Sequence, residues 1–117
     1  MRRTPALLVF CALLCACSGS GDWRADAIAS AEGKIRGLVA DPGATFSHVQ
    51  LTGDSSTGQT CGVIMAKIGA VTKQARFIVY IDNSAGPFVE PVMGQSMSLA
   101  DFDWAWKNDC VNEGYKG

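Results

Sequence analysis

Five cysteines fall into two groups, and that division constrains the fold more than any other feature of the chain. Cys11, Cys15 and Cys17 lie inside an apolar N-terminal run, whereas Cys61 and Cys110 stand far apart in the remainder. The run follows Met1-Arg2-Arg3-Thr4-Pro5 and carries no charge from Ala6 to Cys17. A basic start, a short apolar stretch and small residues at its end describe a secretory leader. Its twelve uncharged residues fall short of the ~20 that a spanning helix needs, so a transmembrane anchor is disfavoured.

Leu14-Cys15-Ala16-Cys17 resembles the bacterial lipobox, an aliphatic residue and two small ones ahead of the cysteine that receives lipid. The chemistry needs a thiol to form a thioether with a diacylglycerol and small side chains where the peptidase cuts. On this reading residues 1–16 are a signal peptide, and 17–22 are the lipidated Cys17 and a flexible Ser-Gly tether. Residues 23–117 form one small α+β domain. Ser18 after the lipidated cysteine resembles the pattern of lipoproteins sent to the outer membrane, facing the periplasm. The alternative is ordinary cleavage and release of a soluble protein without lipid.

Export decides how the other cysteines are read. With Cys11 and Cys15 removed and Cys17 acylated, Cys61 and Cys110 remain as an even pair in an oxidising compartment. A disulfide closing a loop of about 50 residues contributes roughly 4 kcal/mol in the chain-entropy model. The alternative is two free thiols. One histidine and two distant cysteines do not make up the four ligands of a structural zinc, so neither a metal nor a cofactor is expected.

Past Cys17 about 100 residues remain, enough for a single core. The formal net charge of -1 includes Arg2 and Arg3; without them eight basic residues face eleven acidic ones, a net of -3. Nothing resembles the basic stripe that nucleic acid requires. Asp101, Asp103, Asp109 and Glu113 make the C-terminal segment acidic, read as a solvated helix face.

Periodicity supplies the elements. Ile28, Ala31, Ile35, Leu38 and Val39 form one apolar stripe on a helix over residues 22–39, which Asp41-Pro42-Gly43 ends as a type II turn. Phe46–Thr52 alternates, with Val49 and Leu51 on one face and His48 and Gln50 on the other. Thr60–Ile68 is a second strand whose Val63-Ile64-Met65 centre suggests burial on both faces. A loop over Gly69–Gln74 precedes a strand over Ala75–Asp82, with Phe77, Val79 and Ile81 opposite Arg76, Ile78 and Tyr80. Phe88–Val92 is a short edge strand limited by Pro87 and Pro91. Ser98 caps a last helix from Leu99 to Cys110, with Leu99, Phe102, Ala105, Trp106 and Cys110 on one face. The expected fold is an N-terminal helix, an antiparallel sheet of three or four strands, and a C-terminal helix disulfide-linked to the second strand.

The order of several short segments carries a resemblance. Asp41-Pro42-Gly43-Ala44-Thr45-Phe46, Cys61-Gly62, Ala66-Lys67 and Arg76-Phe77-Ile78-Val79 together look like a family of small bacterial exported proteins and lipoproteins. Its members carry a DPxxxxF-like segment after a helix, a CGxxxAK strand and an RF-type strand. The similarity spans Ile35 to Ile81 and departs from the family at Met65, often Asn, and at Gly69-Ala70-Val71, often a Gly-rich aromatic loop. It implies the α+β fold and the exported compartment, and carries no activity.

No residue set points to catalysis. His48 is the only histidine, and Ser55, Ser56 and Asp54 lie near it in sequence without a nucleophile-elbow pattern. Asp101 and Asp103 diverge on a helix at i, i+2. Trp104 lies ~200° round the helix from Phe102 and is read as a candidate interface anchor, the alternative being that a tail including Tyr115 folds over it. The expected function is a non-enzymatic interaction or accessory module held to the membrane through its lipid, with an envelope protein as partner. The alternative is a small-ligand-binding or inhibitor module of the periplasm.

Overall fold

The computed structural model describes residues 23–95 and 97–117. The leader, Cys17 and the tether lie outside the described residues. Within them a four-stranded antiparallel sheet in the order β1-β2-β3-β4 carries a helix on each face. The elements are α1 (Trp23–Val39), β1 (Thr45–Thr52), β2 (Gln59–Ile68), β3 (Val71–Tyr80), β4 (Phe88–Val89) and α2 (Leu99–Ala105). A short 3-10 turn, Pro91–Met93, follows β4, and a π-helical turn, Trp106–Val111, continues α2.

Helix α1 buries Ala31, Ile35 and Val39. Leu38 is 37% exposed because it lies at the edge of the stripe, ~60° round from Ile35. Ala40 takes a left-handed φ of 57°, and the backbone N–H groups of Asp41 and Ala40 reach back to the carbonyls of Arg36 and Gly37. This is the Schellman arrangement, made here by an alanine where glycine is usual. The expected type II turn at Asp41–Ala44 is not formed. Ala44 N–H does bond Asp41 O at 3.1 Å, but Gly43 lacks the positive φ that a type II turn needs. The Asp41 carboxylate instead accepts from Lys67 N–H at 2.8 Å and Gly43 N–H at 3.0 Å, which holds it below the usual carboxylate range and ties the helix end to β2.

On the α1 side lie Ile64 and Ala66 of β2, Ala75, Phe77 and Val79 of β3, Val89 and Met93. Gly62 belongs to the same face: a Cβ there would stand 3.0 Å from both the Phe77 ring and Val49. Strand β1 does not alternate simply. Its register against β2 shifts by one residue between Ser47 and Gln50, and His48 takes φ 52°. This bulge lets Phe46 and Val49, three apart, both pack on the α1 side, where strict alternation would have separated them. Strands β2 and β3 meet in a two-residue turn, not the expected long loop. Ile68 pairs with Val71, and Gly69 takes φ 68° ahead of Ala70, as a type II′ hairpin requires. β3 therefore begins at Val71 and ends at Tyr80, before Ile81. The centre of β2 is not buried on both sides, since Ile64 is covered while Met65 is 44% exposed.

The second face carries Cys61 and Ile78, paired across β2 and β3, under Phe102, Ala105, Trp106 and Cys110. Cys61 and Cys110 form a disulfide with Cα atoms 6.1 Å apart and both residues fully covered. Ser98 caps α2, its Oγ accepting from Asp101 N–H. Leu99 is half exposed because it is the first helical residue, ahead of the turn that meets the sheet. In a uniform α-helix Cys110 would lie ~80° round from Phe102. The wider π turn, marked by Asn112 N–H on Lys107 O, winds less per residue and returns Cys110 toward the same line.

Because Ala40 occupies a conformation that costs L-residues ~1–2 kcal/mol, Ala40→Gly should stabilise the domain by about 0.5–1 kcal/mol after glycine's larger unfolded-state entropy is subtracted. Urea unfolding would read this as a raised midpoint at unchanged slope.

Candidate functional site

The C-terminal helix covers only part of the second sheet face. Beyond it Val63, Met65 and Arg76 stay partly open, and a groove of about 490 Å³ runs between the sheet and the chain after Trp106. Its walls include His48, Val63, Arg76, Trp106, Tyr115 and Lys116.

Arg76 organises the floor. Its Nη2 donates to Glu90 Oε2 at 2.9 Å and to Asp103 Oδ1 at 2.5 Å, and its backbone N–H donates to Glu90 Oε1 at 2.6 Å. The guanidinium also stands 5.1 Å from the Phe102 ring centre and 5.3 Å from that of Trp106. One nitrogen thus meets two carboxylates while the planar guanidinium lies near two rings, a combination that the compact ammonium of a lysine would not reproduce. The hydrogen bond to Glu90 is foremost in raising the guanidinium above its ordinary value, against an opposing effect of burial. Burial pushes the Glu90 carboxyl up, but the bonds from Arg76 outweigh it and leave it below the usual range. Asp103 is thus not a free member of a solvated acidic face. Nor is Asp109, whose carboxylate accepts from the Tyr80 hydroxyl; burial, then this bond, raises the tyrosine well above its ordinary value.

The chain after the π turn is strapped across β1. The Gln50 side-chain amide pairs with the Lys116 backbone in both directions, at 2.5 and 2.9 Å. Tyr115 donates to His48 O at 2.8 Å, and its ring meets Trp106 edge-on with centres 4.7 Å apart. Further along the β1–β2 pair, buried Gln59 donates to Thr52 O and Oγ1, and the Thr52 hydroxyl donates to Asp109 O at 3.0 Å. Every buried side-chain N or O atom in the described residues has a partner. The second face is therefore a polar and aromatic frame beside the groove.

Trp104 lies outside this frame, with 68% of its surface exposed, and the tail residue Tyr115 packs on Trp106 instead. His48 is exposed at the bulge, on the groove rim. Asp54 and Ser56 do not approach it. Asp54 Oδ1 accepts the N–H and hydroxyl of both Ser56 and Thr57, which pulls its pKa down to about 2, and ~20 Å of extended strand separates it along the chain from His48. Asp101 is used at the helix cap through its backbone, and Asp103 turns to Arg76, so the two carboxylates do not converge. Among the described residues no group of three or more His, Cys, Asp or Glu is placed to hold a metal ion, and no helix is long and apolar enough to cross a membrane.

Sequence reasoning placed the Cys61–Cys110 disulfide but missed Arg76 and Tyr115 as walls of the groove and Gln50 as the residue that straps the tail. The one available signal was an arginine on a strand face otherwise occupied by Ile78 and Tyr80.

Trp104→Ala should change unfolding free energy by less than about 0.5 kcal/mol, as at an exposed site, whereas Trp106→Ala should cost about 3 kcal/mol or more through lost packing. Paired denaturant titrations would separate them, and equal effects would place both rings in the core.

Comparisons with family models, with curated proteins and with solved structures return no match.

Proposed function

We propose that the chain is an exported lipoprotein of the bacterial envelope that acts by binding rather than by catalysis. In this reading the lipid on Cys17 anchors it to the outer membrane, the domain faces the periplasm, and Trp104 is the anchor for an envelope protein partner. The observation that carries it is the fully covered Cys61–Cys110 disulfide. Structural disulfides persist in oxidising compartments, and that agrees with the leader, the lipobox-like end at Cys17 and the exported family that the sequence resembles. A large exposed tryptophan on a rigid helix suits a binding anchor, because it brings much contact area at little entropic cost.

The second reading is a small-ligand module. It is favoured by the groove of about 490 Å³, which has the size of a small-molecule site and is walled by Trp106, Tyr115 and Val63 beside the cationic Arg76.

Intact mass spectrometry of membrane-fraction protein tests the anchoring. The expected mass begins at Cys17, carries diacylglycerol and lacks two hydrogens for the disulfide, and Cys17→Ala abolishes the lipid adduct. A cytosolic polypeptide that retains residues 1–16, with Cys61 and Cys110 both alkylatable, would contradict the reading. A lipid-free mass in the soluble fraction would support the released form instead. Crosslinking in intact cells tests binding: an adduct made by the wild type should be lost in Trp104→Ala.

A further inference from the structure

The first turn of α1 lies at the surface of the domain. Residues 23–26 are all exposed, and the first buried residue of the helix is Ala31. At its tip Trp23 is 37% exposed, and the Arg24 guanidinium stands 4.9 Å from its ring centre. An amphipathic ring beside a guanidinium matches the composition of the membrane–water interface, where the indole sits among headgroups and the cation meets phosphates. We infer that Trp23 and Arg24 form a membrane-contact point, which seats the tip of α1 in the headgroup layer of the bilayer that holds the lipid on Cys17.

This inference rests on the lipid attachment at Cys17 and deepens it. The occupant follows from the length of chain between the two points. Trp23 is six residues beyond Cys17, and covalent geometry limits their separation to ~22 Å whatever path the chain takes. The ring is thus never far from a surface whose polar layer is ~5–8 Å deep on each side. Tethering turns a weak interfacial contact into an intramolecular one at high effective concentration, so a single tryptophan and a single arginine suffice. Asp26 in the same turn opposes deep insertion and favours a seat among headgroups over one in the hydrocarbon. The groove opens on the sheet face opposite α1, so this seating leaves it available.

The test uses the full chain, extracted from membranes and returned to phosphatidylethanolamine–phosphatidylglycerol vesicles whose acyl chains carry bromine near the glycerol end. Mass spectrometry of the same sample reports the lipid. Bromine quenches tryptophans at the interface, so wild-type emission should fall. Trp23→Phe should cut that quenching by ~3-fold or more, and Trp104→Phe should leave it unchanged. Quenching that survives Trp23→Phe, or none in a protein whose mass carries diacylglycerol, overturns the contact while leaving the lipid in place. A mass without diacylglycerol overturns the anchoring itself, and the contact with it.

Discussion

The covalent bond between Cys61 and Cys110 fixes the half of the molecule that α1 does not reach. It joins the start of β2 to the end of the C-terminal helix across 49 residues of chain. The helix it holds is short, with seven α-helical residues before a π turn, too few to be stable alone. Its buried apolar residues, Phe102, Ala105 and Trp106, form a small cluster with Ile78. A cluster of that size is a modest hydrophobic gain, so the cross-link and the polar bonds around it have much to supply. Thr52, Gln59, Asp109 and Tyr80 form those bonds, and each ties the sheet to itself or to the helix.

The two faces of the sheet are stabilised differently. Against α1 the core is apolar, from Ile35 to Ile64 and Phe77, with a glycine at position 62 where two side chains close in, and Arg36 over the Phe46 ring at its margin. Against the C-terminal helix the contacts are aromatic and ionic, centred on Arg76. This second face is also the one left partly open. Groove and structural frame thus share residues: Trp106 and Tyr115 close the core on one side and wall the groove on the other. Trp104, two residues from Trp106, takes no part in that frame.

Much of the architecture was legible in the sequence because it depends on period and composition. The 3.6-residue stripe of α1, the alternation of Phe77, Val79, Arg76 and Ile78 in β3, and the pairing of Cys61 with Cys110 all follow from spacing or counting. What escaped depends on single backbone conformations. The bulge at His48 costs one residue of register and is invisible to a period of two. The Gly69-Ala70 turn uses a glycine in a place where the neighbouring polar residues suggested a longer loop. The π turn leaves the apolar spacing of the helix intact while changing where Cys110 points. The site was less legible than the fold, since Arg76, Gln50 and Tyr115 become neighbours only after the strands and the tail are assembled. Their partners are up to 67 residues away in sequence.

The dependence of the second face on its cross-link is tested most directly by removing the sulfurs. Urea unfolding of the Cys61→Ala, Cys110→Ala double variant, followed by near-ultraviolet circular dichroism of the tryptophans, should show a loss of about 4 kcal/mol together with a weakened aromatic signal from the loosened helix. A variant within about 0.5 kcal/mol of the parent, with the aromatic signal intact, would show that packing and the Arg76 frame hold the helix without the bond.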